Sequence, residues 1–370
     1  MTKLLSLILF IVIMGCQSTS KKNQATSLPD QMDSLLNSIA DFSGVVLLAD
    51  QGEAIYCKAF GVRDFESKVP VQVDDIFELA SVSKQFTATT ILILKEEGKI
   101  SIDDPIDKFL PDVPYSGITI RHLLTHTSGL PDYQAVMDEH WDKSKVATNK
   151  DIIEYLIKFK PPILFEPGEK YVYSNTGYVL LGSITEKVSG KDFVQFCADR
   201  IFTPLNMSST AIRSNEEKLN MPNFALGHIF VSEKNRFIRA DSFPSSDYTI
   251  WLGGRKGPGR VSSTAKDVLK WDNALYTEQL IAKSSLDEAF TPQVLIDGSK
   301  SNYGFGWMLI PESPAGRVVW HNGDNPGYKT IIVRYLDKRK TLVMLNNNYH
   351  EKIEAVREGV DELISKQPDL

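Results

Sequence analysis

Segments that read as β-strands lie at the two ends of this chain and are scarce between them, which restricts the fold more than any other feature. Near the start, residues 44–50 and 53–61 form two such runs around the turn Asp50-Gln51-Gly52. Near the end, Tyr303 to Ile310, Arg317 to His321, Lys329 to Tyr335 and Thr341 to Asn346 form four more, rich in β-branched and aromatic residues. Helical stripes flank both groups: Met32, Leu35, Leu36 and Ile39 on one side, Ile353, Val356, Val360, Leu363 and Ile364 on the other. From about residue 82 to 290 the pattern is helical, with long connections rich in Pro, Gly and Asp. The expected fold is α+β, an α/β sandwich. One antiparallel sheet, built from both chain ends, is flanked by the terminal helices, and a helical lobe is inserted over about residues 85–295. A cleft between sheet and lobe is the natural place for a site.

With 42% hydrophobic and 24% charged residues among 370, the chain has material for a large core and none of the bias of disordered or collagenous proteins. A net charge of −6 lacks the electrostatic footprint of a general nucleic-acid binder, so no nucleic-acid partner is expected. The first residues read as an address. Lys3 precedes an apolar run from Leu4 to Met14, broken only by Ser6, which has the length of a signal-peptide core and is too short to span a bilayer. It ends in Gly15-Cys16, followed by a polar stretch, and so resembles a bacterial lipoprotein signal. Residues 1–15 would be removed, Cys16 lipidated, and 16–28 left as a tether to a domain over 29–370. The alternative is a plain secretory signal with Cys16 incidental. The envelope location, on a periplasmic or outer-membrane face, and the membrane partnership both follow from this reading. Cys57 and Cys197 then remain, as a pair or as two buried thiols.

Three short motifs carry chemistry. Ser81-Val82-Ser83-Lys84 opens a strongly apolar segment that runs through Phe86, Ile91, Leu92 and Leu94 and stops at Gly98. Ser-x-x-Lys is weak alone, since roughly two matches arise by chance in a chain of this size. Ser18/Lys21 and Ser263/Lys266 also match, the first in the tether and the second at a helix start with a capping hydroxyl. Only Ser81 sits where a lysine one turn later on the same helix face can reach its hydroxyl. A serine hydroxyl needs such a base, and a lysine is one only when desolvation or nearby positive charge lowers its pKa. The second motif is Tyr171-Val172-Tyr173-Ser174-Asn175 and the third is Trp320-His321-Asn322-Gly323-Asp324 at a strand end. His122 and His126 lack metal-ligand spacing and read as structural; no cofactor or metal is expected.

In this order and spacing, Ser-x-x-Lys, Tyr-x-Asn and basic-x-Gly resemble the serine β-lactamase and penicillin-binding-protein superfamily, especially its class C β-lactamase and DD-carboxypeptidase branch. The resemblance covers about residues 32–365. It includes residues 99–105, 120–131 and the glycine loop from Gly254 toward Trp271. It implies that Ser81 is the acylated nucleophile, Lys84 its proton partner and Tyr173 a second proton-transfer group. Asn175 would bind the acyl-side amide. His321, Gly323 and Asp324 would lie on the sheet's edge strand, with the amides of Ser81 and Asp324 as oxyanion donors. The third motif begins with His321 where β-lactamases usually carry Lys, which looks more like DD-carboxypeptidases, D-aminopeptidases and related esterases. A histidine there is expected to lose its charge near neutral pH and to anchor a carboxylate less well above about pH 7. Arg255-Lys256, in the glycine loop, reads as a solvated pair. The function implied is a serine hydrolase acting on D-amino-acid peptides, small esters or amides. Acyl transfer, β-lactam hydrolysis and non-catalytic capture of β-lactams or muropeptides are the alternatives.

Overall fold

The computed structural model describes residues 27–38, 42–349 and 352–367; the signal segment, Cys16 and Ile39 lie outside the described residues. Six strands form one antiparallel sheet: β1 (Gly44–Asp50), β2 (Glu53–Phe60), β3 (Met308–Ile310), β4 (Val318–Asn325), β5 (Tyr328–Tyr335) and β6 (Lys340–Asn346). Their order across the sheet is β3-β4-β5-β6-β1-β2. The two chain ends meet where β1 pairs with β6, with Leu47 opposite Val343.

Alternation along the strands builds two cores, because successive side chains leave a strand on opposite faces. Val46 and Leu48 of β1, with Ile331, Val333, Leu342 and Met344, bury against α1 (Leu28–Asn37) and the C-terminal helix Ile353–Ser365. The intervening Val45, Leu47 and Ala49, with Ile332, Val343 and Leu345, face the opposite way. There they meet α2 (Lys84–Glu96) and the helices that follow it. Each fully buried Leu, Ile or Val contributes about 1.5–3 kcal/mol, so a sheet covered on both sides is the main stabilising unit.

The intervening stretch also contains α3 (Asn175–Ser189) and α4 (Ala265–Ala274), the latter capped by Thr264, whose side chain accepts from the Asp267 amide. It is less purely helical than its pattern implies. A hairpin joins residues 228–231 to 236–239, and 77–78, 261–263 and 211–212 form a small sheet. Expected strand 303–310 shortens to β3. Gly306 adopts φ +80° where a Cβ would fall 2.8 Å from the Lys84 carbonyl oxygen, so the chain there turns against α2 instead of extending. Cys57 and Cys197 are both free thiols.

Candidate active site

A left-handed Ala80 (φ +48°) bends the chain off strand residues 77–78 into a short 3-10 helix, Ala80–Ser83, which runs into α2. A non-glycine residue is strained in that region, and the bend aims Ser81 at open space while Lys84 points inward. β4 passes directly beneath. A Cβ on Gly323 would lie 2.1 Å from the Leu79 carbonyl oxygen, so Gly323 serves here as backbone clearance that lets Asp324 approach Ser81.

Lys84 is fully buried, and its Nζ lies 3.1 Å from Ser81 Oγ, 2.8 Å from Asn175 Oδ1 and 2.9 Å from the Pro258 carbonyl oxygen. Among the described residues it has no ion pair. Burial, reinforced by the Arg255 charge and only partly opposed by Asp132, pushes its pKa well below the usual lysine value. The contacts suit a neutral amine: two N–H groups go to the two carbonyl-type oxygens, and the lone pair is left for the Ser81 hydroxyl proton.

Ser174 caps α3 by accepting from the Gly177 amide, and the start of that helix carries Tyr173 and Asn175 to either side of Lys84. The Tyr173 ring lies 4.8 Å from Nζ. Burial raises the Tyr173 pKa, opposed by the Ser81 hydroxyl as hydrogen-bond partner, so this phenol keeps its proton.

His321 is on β4 as expected, but its charge is not. It is fully buried, its Nδ1 lies 2.5 Å from the Asn322 carbonyl oxygen, and Nε2 lies 2.9 Å from the Tyr303 hydroxyl. The carbonyl fixes the proton on Nδ1, so Nε2 accepts from Tyr303. Burial, the largest cause, lowers its pKa to about 3. The titrating cation anticipated from the sequence is therefore a neutral imidazole across the physiological range, and it cannot acidify Tyr173. Nor can a neutral Lys84.

Several residues at the site escaped the sequence. His126, read as structural, packs with its ring 4.2 Å from the Tyr173 ring at a tilt of 37° and accepts from the Ser174 amide at 3.1 Å, which pins Tyr173 in place. Glu78 is buried beside the turn, with Lys218 at 2.5 Å and Asn325 Nδ2 at 2.9 Å. Burial would raise its pKa, but Lys218, Arg260 and Arg255 outweigh that and hold it at about 2. Arg255 is not a solvated neighbour of Lys256. Lys256 turns out to Asp192 at 2.6 Å, whereas Arg255 turns in and donates from Nη1 to the Tyr133 hydroxyl at 2.6 Å. Alternation along an extended segment between glycines was the signal available. A cavity of about 90 Å³ at the site is lined by Ser81, Asn175, Gln134, Tyr248, Arg255 and Asp324, among others. A larger cavity, about 790 Å³, lies near residues 275–292 and shares none of these groups. Among the described residues no three potential metal ligands converge.

The Beta-lactamase family model matches residues 32–364. Penicillin-binding protein 4* of Bacillus subtilis (strain 168) is 40% identical over 332 residues, covering 88% of this chain and 73% of that protein. The octameric penicillin-binding protein homologue from Pyrococcus abyssi superposes with a TM-score of 0.78 at 27% identity, over 93% of this chain and 78% of that one. The D-amino acid amidase from Ochrobactrum anthropi SV3 does so at 0.73 and 27%, over 91% and 96%. With a serine beside a buried lysine that has no ion pair among the described residues, and relatives matching along nearly its whole length, this chain belongs to the Beta-lactamase family, within the serine β-lactamase and penicillin-binding-protein superfamily, and is a serine hydrolase.

Proposed function

We propose that the protein hydrolyses D-amino-acid peptides, amides or small esters through an acyl-Ser81 intermediate. The observation that carries this is Lys84, a buried amine with two carbonyl-type acceptors, no carboxylate partner among the described residues and the Ser81 hydroxyl at 3.1 Å. Neutral Lys84 takes the Ser81 proton as Oγ attacks the substrate carbonyl carbon. The amides of Ser81 and Asp324 hold the oxyanion, a contribution of about 3–4 kcal/mol in enzymes of this type. When the tetrahedral species collapses, the bond to the leaving nitrogen or oxygen breaks. Tyr173 gives that atom its phenolic proton and recovers one from the Lys84 ammonium. Water then enters, loses a proton by the same route in reverse, and cleaves the ester to free acid and Ser81. His321 takes no proton in this scheme. It orients Tyr303 and closes the aromatic flank behind Tyr173.

Preference for D-configured donors is supported by the likeness to the D-amino acid amidase and by His321 in place of the lysine usual in β-lactamases. Placement at the cell envelope, through lipid on Cys16, is part of the same proposal and rests on the pattern of residues 3–16. Intact mass after exposure to a D-alanyl ester and to a fluorescent penicillin tests the chemistry. A transient adduct with the ester and product release, both absent in Ser81→Ala, is the expected result. A persistent adduct with no turnover would instead favour a binding protein, and activity in Ser81→Ala would overturn the mechanism. Membrane fractionation of Cys16→Ser tests the anchor, with loss to the soluble fraction expected.

A further inference from the structure

We infer that the acyl part of the substrate carries a carboxylate and that Arg255 binds it, an inference that rests on the acyl-enzyme reading of Ser81. The two flanks of the serine differ in composition. Tyr173, His321, Tyr303 and His126 form one, and the leaving group must sit there to receive the phenolic proton. The acyl substituent then falls on the opposite flank, the cavity shared by Ser81, Asn175, Gln134, Tyr248 and Arg255.

Arg255 is incompletely used by the protein. Its Nη1 donates to Tyr133, but its buried Nε has no hydrogen-bond partner, and among the described residues it forms no ion pair. Two acids line the same cavity: Glu78 feels the Arg255 charge but is hydrogen-bonded to Lys218 and Asn325, and Asp324, half exposed at the rim, lies 4.0 Å from Lys329. A guanidinium presents paired N–H donors in the geometry of a carboxylate, and is always charged. His321, being neutral, offers no competing cation. A cavity of about 90 Å³ admits only a short arm between the scissile carbonyl and that carboxylate.

The test uses two acyl donors of equal shape, N-acetyl-D-glutamic acid α-(4-nitroanilide) and its D-glutamine counterpart, which differ only in side-chain charge. The wild type should favour the acid at least tenfold in kcat/KM. That ratio should fall toward one in Arg255→Gln and to an intermediate value in Arg255→Lys, which keeps the charge without the planar donor edge. In parallel, calorimetry on Ser81→Ala should show the α-amide of N-acetyl-D-glutamate binding at least tenfold more tightly than the neutral diamide. The advantage should vanish in Ser81→Ala/Arg255→Gln. A carboxylate preference that is absent in the wild type, or survives without Arg255, overturns the inference, as does an equal loss for both donors. Should Arg255→Gln not fold, Arg255→Lys carries the same test. Arg255-dependent binding without turnover of either anilide would leave the inference standing and remove the acyl-enzyme reading instead.

Discussion

Two basic side chains with no solvent exposure, Arg334 and Lys84, are housed in opposite ways. Arg334 of β5 is held by Asp272 of α4: its Nε donates to the carboxylate at 2.5 Å, and Thr341 donates to the other carboxylate oxygen at 2.7 Å. Lys84 has only uncharged oxygens. A buried charge with a hydrogen-bonded counter-ion keeps its charge and joins two elements, here α4 to the sheet. Without a counter-ion a buried amine sheds its proton, and a neutral lysine next to a serine is a base. Burial is common to both sites; the missing carboxylate is what turns one of them into chemistry.

The contrast is tested most severely at the serine. Ser81→Ala should abolish turnover, and Lys84→Met should lower kcat/KM by about 10²–10⁴-fold without the cost of a stranded buried charge. The sign of its pH dependence follows from linkage. Between the depressed native pKa of Lys84 and the unfolded value of 10.5, the unfolded state binds a proton that the native state does not. Wild-type stability therefore rises with pH through that window, and the stability of Lys84→Met relative to the wild type in urea denaturation should fall as pH is raised toward its upper end. Activity should also rise with pH through the depressed Lys84 pKa. A variant that is inactive and badly unfolded would make Lys84 a structural residue like Arg334.

At Arg334 the reverse is expected. Arg334→Met strands Asp272 in the core and should cost about 3–5 kcal/mol in urea denaturation. The ester kcat/KM of the folded fraction should stay close to that of the wild type. Pairing it with Asp272→Leu should restore much of the loss.

The sheet was legible because apolar runs rich in β-branched residues, bounded by turn signals, mark β1, β2, β5 and β6 almost residue by residue. β4 was read only as far as His321, since Asn322-Gly323-Asp324-Asn325 looks like a loop, and only contact with the Leu79–Ala80 backbone shows why Gly323 sits within a strand. Ser81, Lys84 and Tyr173 were singled out by motif and spacing, and the structure brings them together. Spacing says nothing about protonation. The neutrality of His321 depends on burial under Tyr303 and on the Asn322 carbonyl, neither of which lies in the motif. Arg255 and Glu78 were missed for a related reason: each is placed by residues more than a hundred positions away, Tyr133 and Lys218.

A milder change probes the wall between the two flanks. Tyr303→Phe removes the hydroxyl that donates to His321 Nε2 and leaves a buried acceptor unpaired, which should cost about 1–3 kcal/mol in stability. The catalytic loss should be small by comparison with Lys84→Met, because Tyr303 handles no proton of the substrate. A loss as large as that of Lys84→Met would place Tyr303 in the proton path.

The smallest effect expected is no effect, and it separates a neutral His321 from a titrating one. The ratio of kcat/KM for the glutamic acid and glutamine anilides should stay flat from about pH 5.5 to 8.5. His321, with a pKa lowered to about 3, does not change charge there, and an arginine does not either. Both substrates should follow the Lys84 limb in parallel. A drop in the ratio with a midpoint near 6.5, removed by His321→Gln, would mean that His321 carries a proton in the working enzyme. Lys84 would then face a cation across the Tyr173 ring, and the division between a paired and an unpaired buried charge would no longer explain which of the two is catalytic.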